Sequence, residues 1–208
     1  MNSKRILILI LGLVFLMMTS VHAFALELSG NVKAQGLRKQ DNILVYLTKT
    51  PDLTTPPQQA FVLDQNNLTF LPHILVIPKG STVSFPNNDK VDHNVFSLSR
   101  TKKFNFGSYK PGESQNVTFD KPGIVELRCD LHSEMISYIL VMKNSYFALT
   151  DKKGNFILDV TGLEPGKYIL KTWHEKLKNS KLALELPAAA DKKLTINLKR
   201  GAPGVLFK

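Results

Sequence analysis

The chain has 208 residues, 43% of them hydrophobic and 21% charged, with 27 Lys and Arg against 17 Asp and Glu and a formal net charge of +10. That composition excludes a disordered chain and a membrane bundle, and the length allows one domain or two small ones. A single cysteine excludes an internal disulfide framework and any cysteine-rich zinc or iron–sulfur centre.

Residues 1–25 read as a secretory signal peptide. Lys4 and Arg5 give a basic start, residues 6–18 are uninterruptedly apolar, and Ala23-Phe24-Ala25 supplies an A-x-A cleavage site. The apolar run is short for a bilayer span, and no later segment approaches transmembrane length. An uncleaved N-terminal anchor is the alternative. The expected mature protein is exported, to the periplasm or beyond, after cleavage near Ala23 or Ala25.

Beyond the leader the chain reads as all-β. Predicted strands fall at 30–33, 42–48, 60–64, 73–78, 81–86, 93–98, 113–119 and 123–129. Further strands follow at 136–142, 146–150, 156–160, 166–173, 182–186 and 194–198. Turns are marked by Pro78-Lys79-Gly80, Lys110-Pro111-Gly112, Lys121-Pro122-Gly123, Lys153-Gly154-Asn155 and Glu164-Pro165-Gly166. Short strands at this spacing form sandwiches or barrels. A Pro- and Thr-rich break at 50–57 and a polar junction at Lys143-Asn144-Ser145 divide the chain.

The positive excess sits in the last third, among Lys167, Lys171, Lys176, Lys178, Lys181, Lys192, Lys193, Lys199 and Arg200. A solvated lysine face explains it, as does a docking surface for an acidic partner. No nucleic-acid recognition motif accompanies the charge, so nucleic acid is not an expected partner.

Chemistry concentrates in Cys129-Asp130-Leu131-His132-Ser133-Glu134-Met135, where a thiolate, an imidazole and a thioether recur at three-residue intervals just after a predicted strand. A tight loop at a strand end turns such side chains onto one point. His93, at the start of another strand, supplies a fourth candidate. Cys, two His and a weak Met make the donor set of a type 1 copper site, in which soft sulfur suits Cu(I) and imidazole suits both valences. Phe85, Val95, Phe96 and Leu131 are candidates for an apolar surround. Asn94 is placed to tie the two ligand-bearing segments by hydrogen bonds outside the ligand set. Zinc on the same residues is the metal alternative, although Met is a poor zinc ligand. A catalytic Cys129–His132 pair is the enzyme alternative, but no orienting third group or oxyanion motif accompanies it. His73 reads as structural, and His174, in Trp173-His174-Glu175, as a packed or solvent-facing turn, with a second metal as the alternative for either.

The segment 58–143 resembles a cupredoxin, with loop spacing like that of amicyanin and features shared with plastocyanin and pseudoazurin. The resemblance rests on Phe70-x-Pro72, on 78–85, on Asn88-Asp89 ahead of His93-Asn94-Val95, and on the Cys129, His132, Met135 loop. It implies a Greek-key sandwich holding one copper ion that cycles between Cu(I) and Cu(II) on His93, Cys129, His132 and Met135. The loop departs from the family by carrying Asp130 and Glu134 and no proline, which predicts either a lowered reduction potential, the acidic groups favouring Cu(II), or a hydrophilic edge around His132. Residues 146–156 and 163–170 resemble a carboxypeptidase regulatory-like, transthyretin-like sandwich, whose opening strands are matched by Gly30-Asn31-Val32 and 42–47. The resulting expectation is that 26–57 and 144–208 form one discontinuous sandwich with the cupredoxin inserted in it, an arrangement similar to periplasmic plastocyanin-like proteins labelled methylamine-utilisation proteins. The expected function is a non-enzymatic one-electron carrier docking to an acidic redox partner. Copper storage, delivery or sensing, and a purely structural envelope module, are the alternatives.

Overall fold

The computed structural model describes residues 25–52 and 60–207, so the signal peptide expected at 1–25, apart from its last residue, and most of the proline-rich break lie outside the described residues. Strands follow one another as β1 (Glu27–Ala34), β2 (Leu44–Thr48), β3 (Phe61–Val62), β4 (Asp64–Asn66), β5 (Thr69–Leu71), β6 (Ile74–Pro78), β7 (Ser81–Pro86) and β8 (His93–Ser97). The series continues with β9 (Phe104–Tyr109), β10 (Ser114–Phe119), β11 (Gly123–Arg128), β12 (Ile136–Met142), β13 (Phe147–Leu149), β14 (Asn155–Asp159), β15 (Gly166–Trp173), β16 (Lys181–Leu186) and β17 (Leu194–Leu198). No helix occurs among the described residues, and the fold is all-β.

Two lobes result. In the first, a five-stranded sheet ordered β6-β12-β11-β8-β9 and a three-stranded sheet ordered β10-β7-β3 enclose a core that includes Leu63, Phe70, Val83, Phe85, Val95, Phe119, Leu127 and Ile139. In the second, a sheet ordered β14-β1-β17 and another ordered β13-β2-β15-β16 share a core that includes Leu28, Val32, Val45, Leu47, Phe156, Leu170 and Ile196. Among the described residues, β1 pairs with β14 and β17, and β2 with β13 and β15, so the first two strands find their partners only after Ser145. The intervening strands pair among themselves.

The lobes meet face to face through a third apolar cluster: Leu44, Tyr46, Ile74, Leu140, Met142, Trp173 and Leu206. The cause lies in β2 and β12. A strand with one solvated face alternates apolar and polar residues, whereas a strand covered on both faces is apolar throughout. Strand β2 reads Leu-Val-Tyr-Leu-Thr, with Val45 and Leu47 in the second lobe's core and Leu44 and Tyr46 in the junction. Strand β12 divides likewise: Ile139 and Val141 face the first lobe's core, Leu140 and Met142 the junction. The Tyr46 hydroxyl, buried in this seam, donates to the carbonyl of Leu206 at 2.6 Å.

Three elements differ from the sequence expectation. The strand expected at 60–64 is divided into β3 and β4, which join different sheets. Strands β5 and β9 lie outside every predicted strand: β5 is only three residues long, and Gly107 interrupts the apolar pattern of β9. Gly107 adopts φ +70°, and the pairing of β9 with β8 shifts register between Asn94 and Phe96. A bulge of this kind bends a strand and re-aims its side chains.

Candidate metal centre

Strands β11 and β12 run antiparallel with Arg128 opposite Ile136, so residues 129–135 form the loop that joins neighbouring strands. The loop is closed on itself: Met135 N–H donates to the His132 carbonyl at 3.0 Å, and Cys129 N–H to the Met135 carbonyl at 3.3 Å. Strand β8 lies on the other side of β11, with Arg128 opposite Phe96, which places His93 at the same end of the sheet. The ladder therefore brings together residues separated by more than thirty positions in sequence.

His93, Cys129 and His132 form a group whose donor atoms all lie within 4.8 Å of one another. His93 Nδ1 is 3.1 Å from His132 Nδ1, and Cys129 Sγ is 3.7 Å from His132 Nδ1. Among the described residues this is the one such group of three or more His, Cys, Asp or Glu side chains. His93 and Cys129 are buried, and His132 reaches the surface in part. Met135, 1% exposed, belongs to the same buried cluster as Cys129, Phe85 and Val95.

The polar surroundings orient these donors. His93 Nε2 donates to Asp89 Oδ2 at 3.0 Å, which leaves the Nδ1 lone pair directed at the other ligand atoms. Asp89 is held ionised, with its pKa lowered to about 2, first by the N–H of Leu68, then by His93 and the N–H of Lys90. The sequence marked Asn88-Asp89 only as a feature of the resemblance and gave no sign that this carboxylate orients His93. Asn94 donates its backbone N–H to Cys129 Sγ at 3.4 Å, while its side-chain amide turns away to Asn105 Oδ1 at 2.8 Å. An N–H aimed at the sulfur stabilises thiolate charge.

Two imidazole nitrogens and a sulfur converging in a buried site, one ring with its tautomer fixed by a carboxylate, suit a borderline-soft metal that changes valence. The residues present fit copper.

The anticipated apolar surround is partly corrected. Phe85 and Val95 are fully buried beside Cys129 and Met135, but Phe96 is only half-buried and Leu131 is 50% exposed. Leu131 sits in a loop with no strand period to fix which way it faces, and it points outward beside His132. Val91, at 43% exposure, lies in the loop that leads into His93. The edge around His132 thus combines exposed Asp130 and Glu134 with exposed apolar surface, and is not uniformly hydrophilic.

Among the described residues, His73 and His174 stand apart from this group. His73 pairs with Glu175 at 2.9 Å, and His174, 8% exposed, accepts the N–H of Lys176 on Nδ1 at 3.1 Å. Burial lowers the pKa of His174, whereas the Glu175 hydrogen bond raises that of His73.

Residues 58–142 match the family of copper binding proteins of the plastocyanin/azurin type. Among solved structures, a purple cupredoxin from Nitrosopumilus maritimus is similar at 24% identity over 39% of this chain and 99% of its own, with a TM-score of 0.36. A copper-containing nitrite reductase from Thermus scotoductus SA-01 is similar at 23% identity over 44% of this chain and 25% of its own, with a TM-score of 0.39. An amicyanin variant in its reduced Cu(I) form is similar at 18% identity over 47% of this chain and 98% of its own, with a TM-score of 0.38. Comparison with curated protein sequences gives no match. The segment 58–142 is a cupredoxin domain, and its cofactor is a single type 1 copper.

Proposed function

We propose that this protein is an exported one-electron carrier, with His93, Cys129, His132 and Met135 as the copper ligands. The observation that carries the reading is the convergence of His93 Nδ1, Cys129 Sγ and His132 Nδ1 at a buried strand end. Copper bound there supplies a Cu(I)/Cu(II) couple. Cys129 and the two imidazoles would serve as the strong donors, and Met135 as a weak one. Asp89 fixes the His93 ring, and the Asn94 N–H steadies the thiolate, so the ligands do not rearrange when the charge changes. Phe85 and Val95 exclude water, and that confines the site to electron transfer.

His132 is the one ligand ring that reaches solvent, so electrons enter and leave at its edge. Leu131 and Val91 give that edge apolar contact area, while the lysine-rich second lobe steers an acidic redox partner toward it. Residues 26–57 and 144–208 are read as one carboxypeptidase regulatory-like sandwich interrupted by the cupredoxin. The pairing of β1 and β2 with strands beyond Ser145 supports that reading. Export follows from the leader at 1–25 and is tested by N-terminal sequencing of the secreted protein. The carrier function is tested by spectroelectrochemistry of the copper-loaded protein. A single reversible one-electron wave supports it. Release of copper on reduction contradicts it and favours metal delivery.

A further inference from the structure

The lobe that supplies none of the converging donors is hydrogen-bonded to the strand that starts one residue after Met135. His73 stands between them. Its Nε2 is 2.9 Å from Glu175 Oε2 in the second lobe, and its Nδ1 is 3.1 Å from the carbonyl oxygen of Ile136, the first residue of β12. A carboxylate and a carbonyl only accept, so both ring nitrogens donate and the ring is an imidazolium. The carbonyl of His73 accepts in turn from Tyr138 N–H at 3.0 Å and from Ser137 Oγ at 2.9 Å. One residue therefore holds three consecutive residues at the start of β12.

The far end of this clamp is fixed as well. Glu175 has a side chain only 10% exposed, and its other oxygen lies 3.3 Å from Lys176 Nζ. The Tyr138 ring packs edge-on between His73 and Trp173, with centroid distances of 5.9 and 5.6 Å. On this side Met135 borders an open cleft of about 390 Å³, lined also by Phe70, His73, Tyr138 and Glu175.

We propose that Glu175 and His73 are positioning residues for the copper site, through which the second lobe sets the Met135 end of the ligand loop. This rests on Met135 being a copper ligand. The chain of contact is Glu175 carboxylate, His73 imidazolium, Ile136 carbonyl, then the peptide that joins Ile136 to Met135. Loosening it at either residue frees Met135 in the same way and shifts the reduction potential in the same direction, because the weak sulfur donor tunes that potential.

The test uses the full mature protein as wild type, E175Q, H73Q and H73Q/E175Q, each loaded with Cu(II). The midpoint potential and visible spectrum are recorded, together with amide exchange at 136–138 in the metal-free proteins. Both single variants are expected to shift the potential in the same direction and to speed exchange, and the double variant to shift no further than the larger single one. Through-space charge alone predicts a different pattern, since E175Q removes a negative charge and H73Q a positive one. Opposite or absent shifts in the two single variants, with a normal thiolate–copper band in the wild type, overturn the proposal. A wild type that lacks the band overturns the copper assignment itself, and the two failures are thereby distinguished. E175Q is nearly isosteric and keeps the test open if H73Q fails to fold.

Discussion

His93 Nε2 and Asp89 Oδ2 lie 3.0 Å apart, a ligand ring and a carboxylate held four residues from it. The contact decides which imidazole nitrogen is free to bind metal. Truncation in Asp89→Ala is expected to lower copper affinity by about 10- to 100-fold, the range for loss of a partner behind a metal-binding histidine. Asp89→Asn restores most of the loss, since its amide oxygen still accepts the His93 N–H. Chelator competition measures both, and unchanged affinity in Asp89→Ala would refute the orienting role.

Trp173 is 1% exposed and sits in the junction between the lobes with Leu44, Tyr46, Leu140 and Met142. Trp173→Ala is expected to cost about 3–5 kcal/mol, the usual figure for removing a buried aromatic side chain. Trp173→Phe costs less, because the indole N–H has no partner among the described residues. Urea unfolding should show one transition in the wild type, the lobes sharing a seam; two well-separated transitions would argue that the seam does not couple them.

Gly154 turns the connection between β13 and β14 at φ +84°, and a Cβ there would clash with the carbonyl oxygen of Val32 on β1. Its own carbonyl accepts the Val32 N–H at 2.8 Å. Gly154→Ala combines a left-handed backbone with a backbone clash, and is expected to destabilise the protein by more than ~1 kcal/mol. The copper band of whatever protein remains folded should be unaltered, since the turn lies in the other lobe. Calorimetry and absorbance together check both halves.

The His73–Glu175 pair also predicts a pH dependence. His73 has its pKa raised above the ordinary 6.5, mainly by the Glu175 hydrogen bond, with the Ile136 carbonyl assisting and burial and Lys176 opposing. A raised imidazole contributes stability that is complete below its unfolded value and is lost as pH rises through the folded one. Glu175 has its pKa lowered to about 2, mainly by the same bond, with Lys176 assisting. Its contribution is complete above the ordinary carboxylate range and is lost as pH falls toward 2. The pair is thus strongest between the ordinary carboxylate and imidazole ranges. Nuclear magnetic resonance titration of the His73 ring should give a higher pKa in the wild type than in Glu175→Gln, and equal values would contradict the pairing.

The metal centre was legible because its donors fall in two short segments whose residue types are rare in combination. The role of Asp89 was not, since a carboxylate in a polar loop is common and the Leu68 N–H of the β4–β5 turn, which helps to fix its position, comes from a separate segment. Leu131 was misread as interior because a seven-residue loop has no period from which to infer a face. The boundaries of β7, β12, β15 and β17 agree with the strands predicted at 81–86, 136–142, 166–173 and 194–198. Strand β9 escaped because Gly107 and the bulge opposite Asn94 break the alternation of Phe104, Phe106 and Tyr109. The seam between the lobes was written in the unbroken apolar runs of β2 and β12, which mean burial on both faces and do not say against what.

The most direct test of the account is a Cu(II) titration of the mature protein followed by visible absorption, repeated on Cys129→Ser. The account predicts one equivalent of copper, an intense thiolate-to-copper charge-transfer band that a mild reductant bleaches reversibly, and complete loss of that band in Cys129→Ser. A weak spectrum that the substitution leaves unchanged would mean that Cys129 does not bind the metal, and would contradict the carrier.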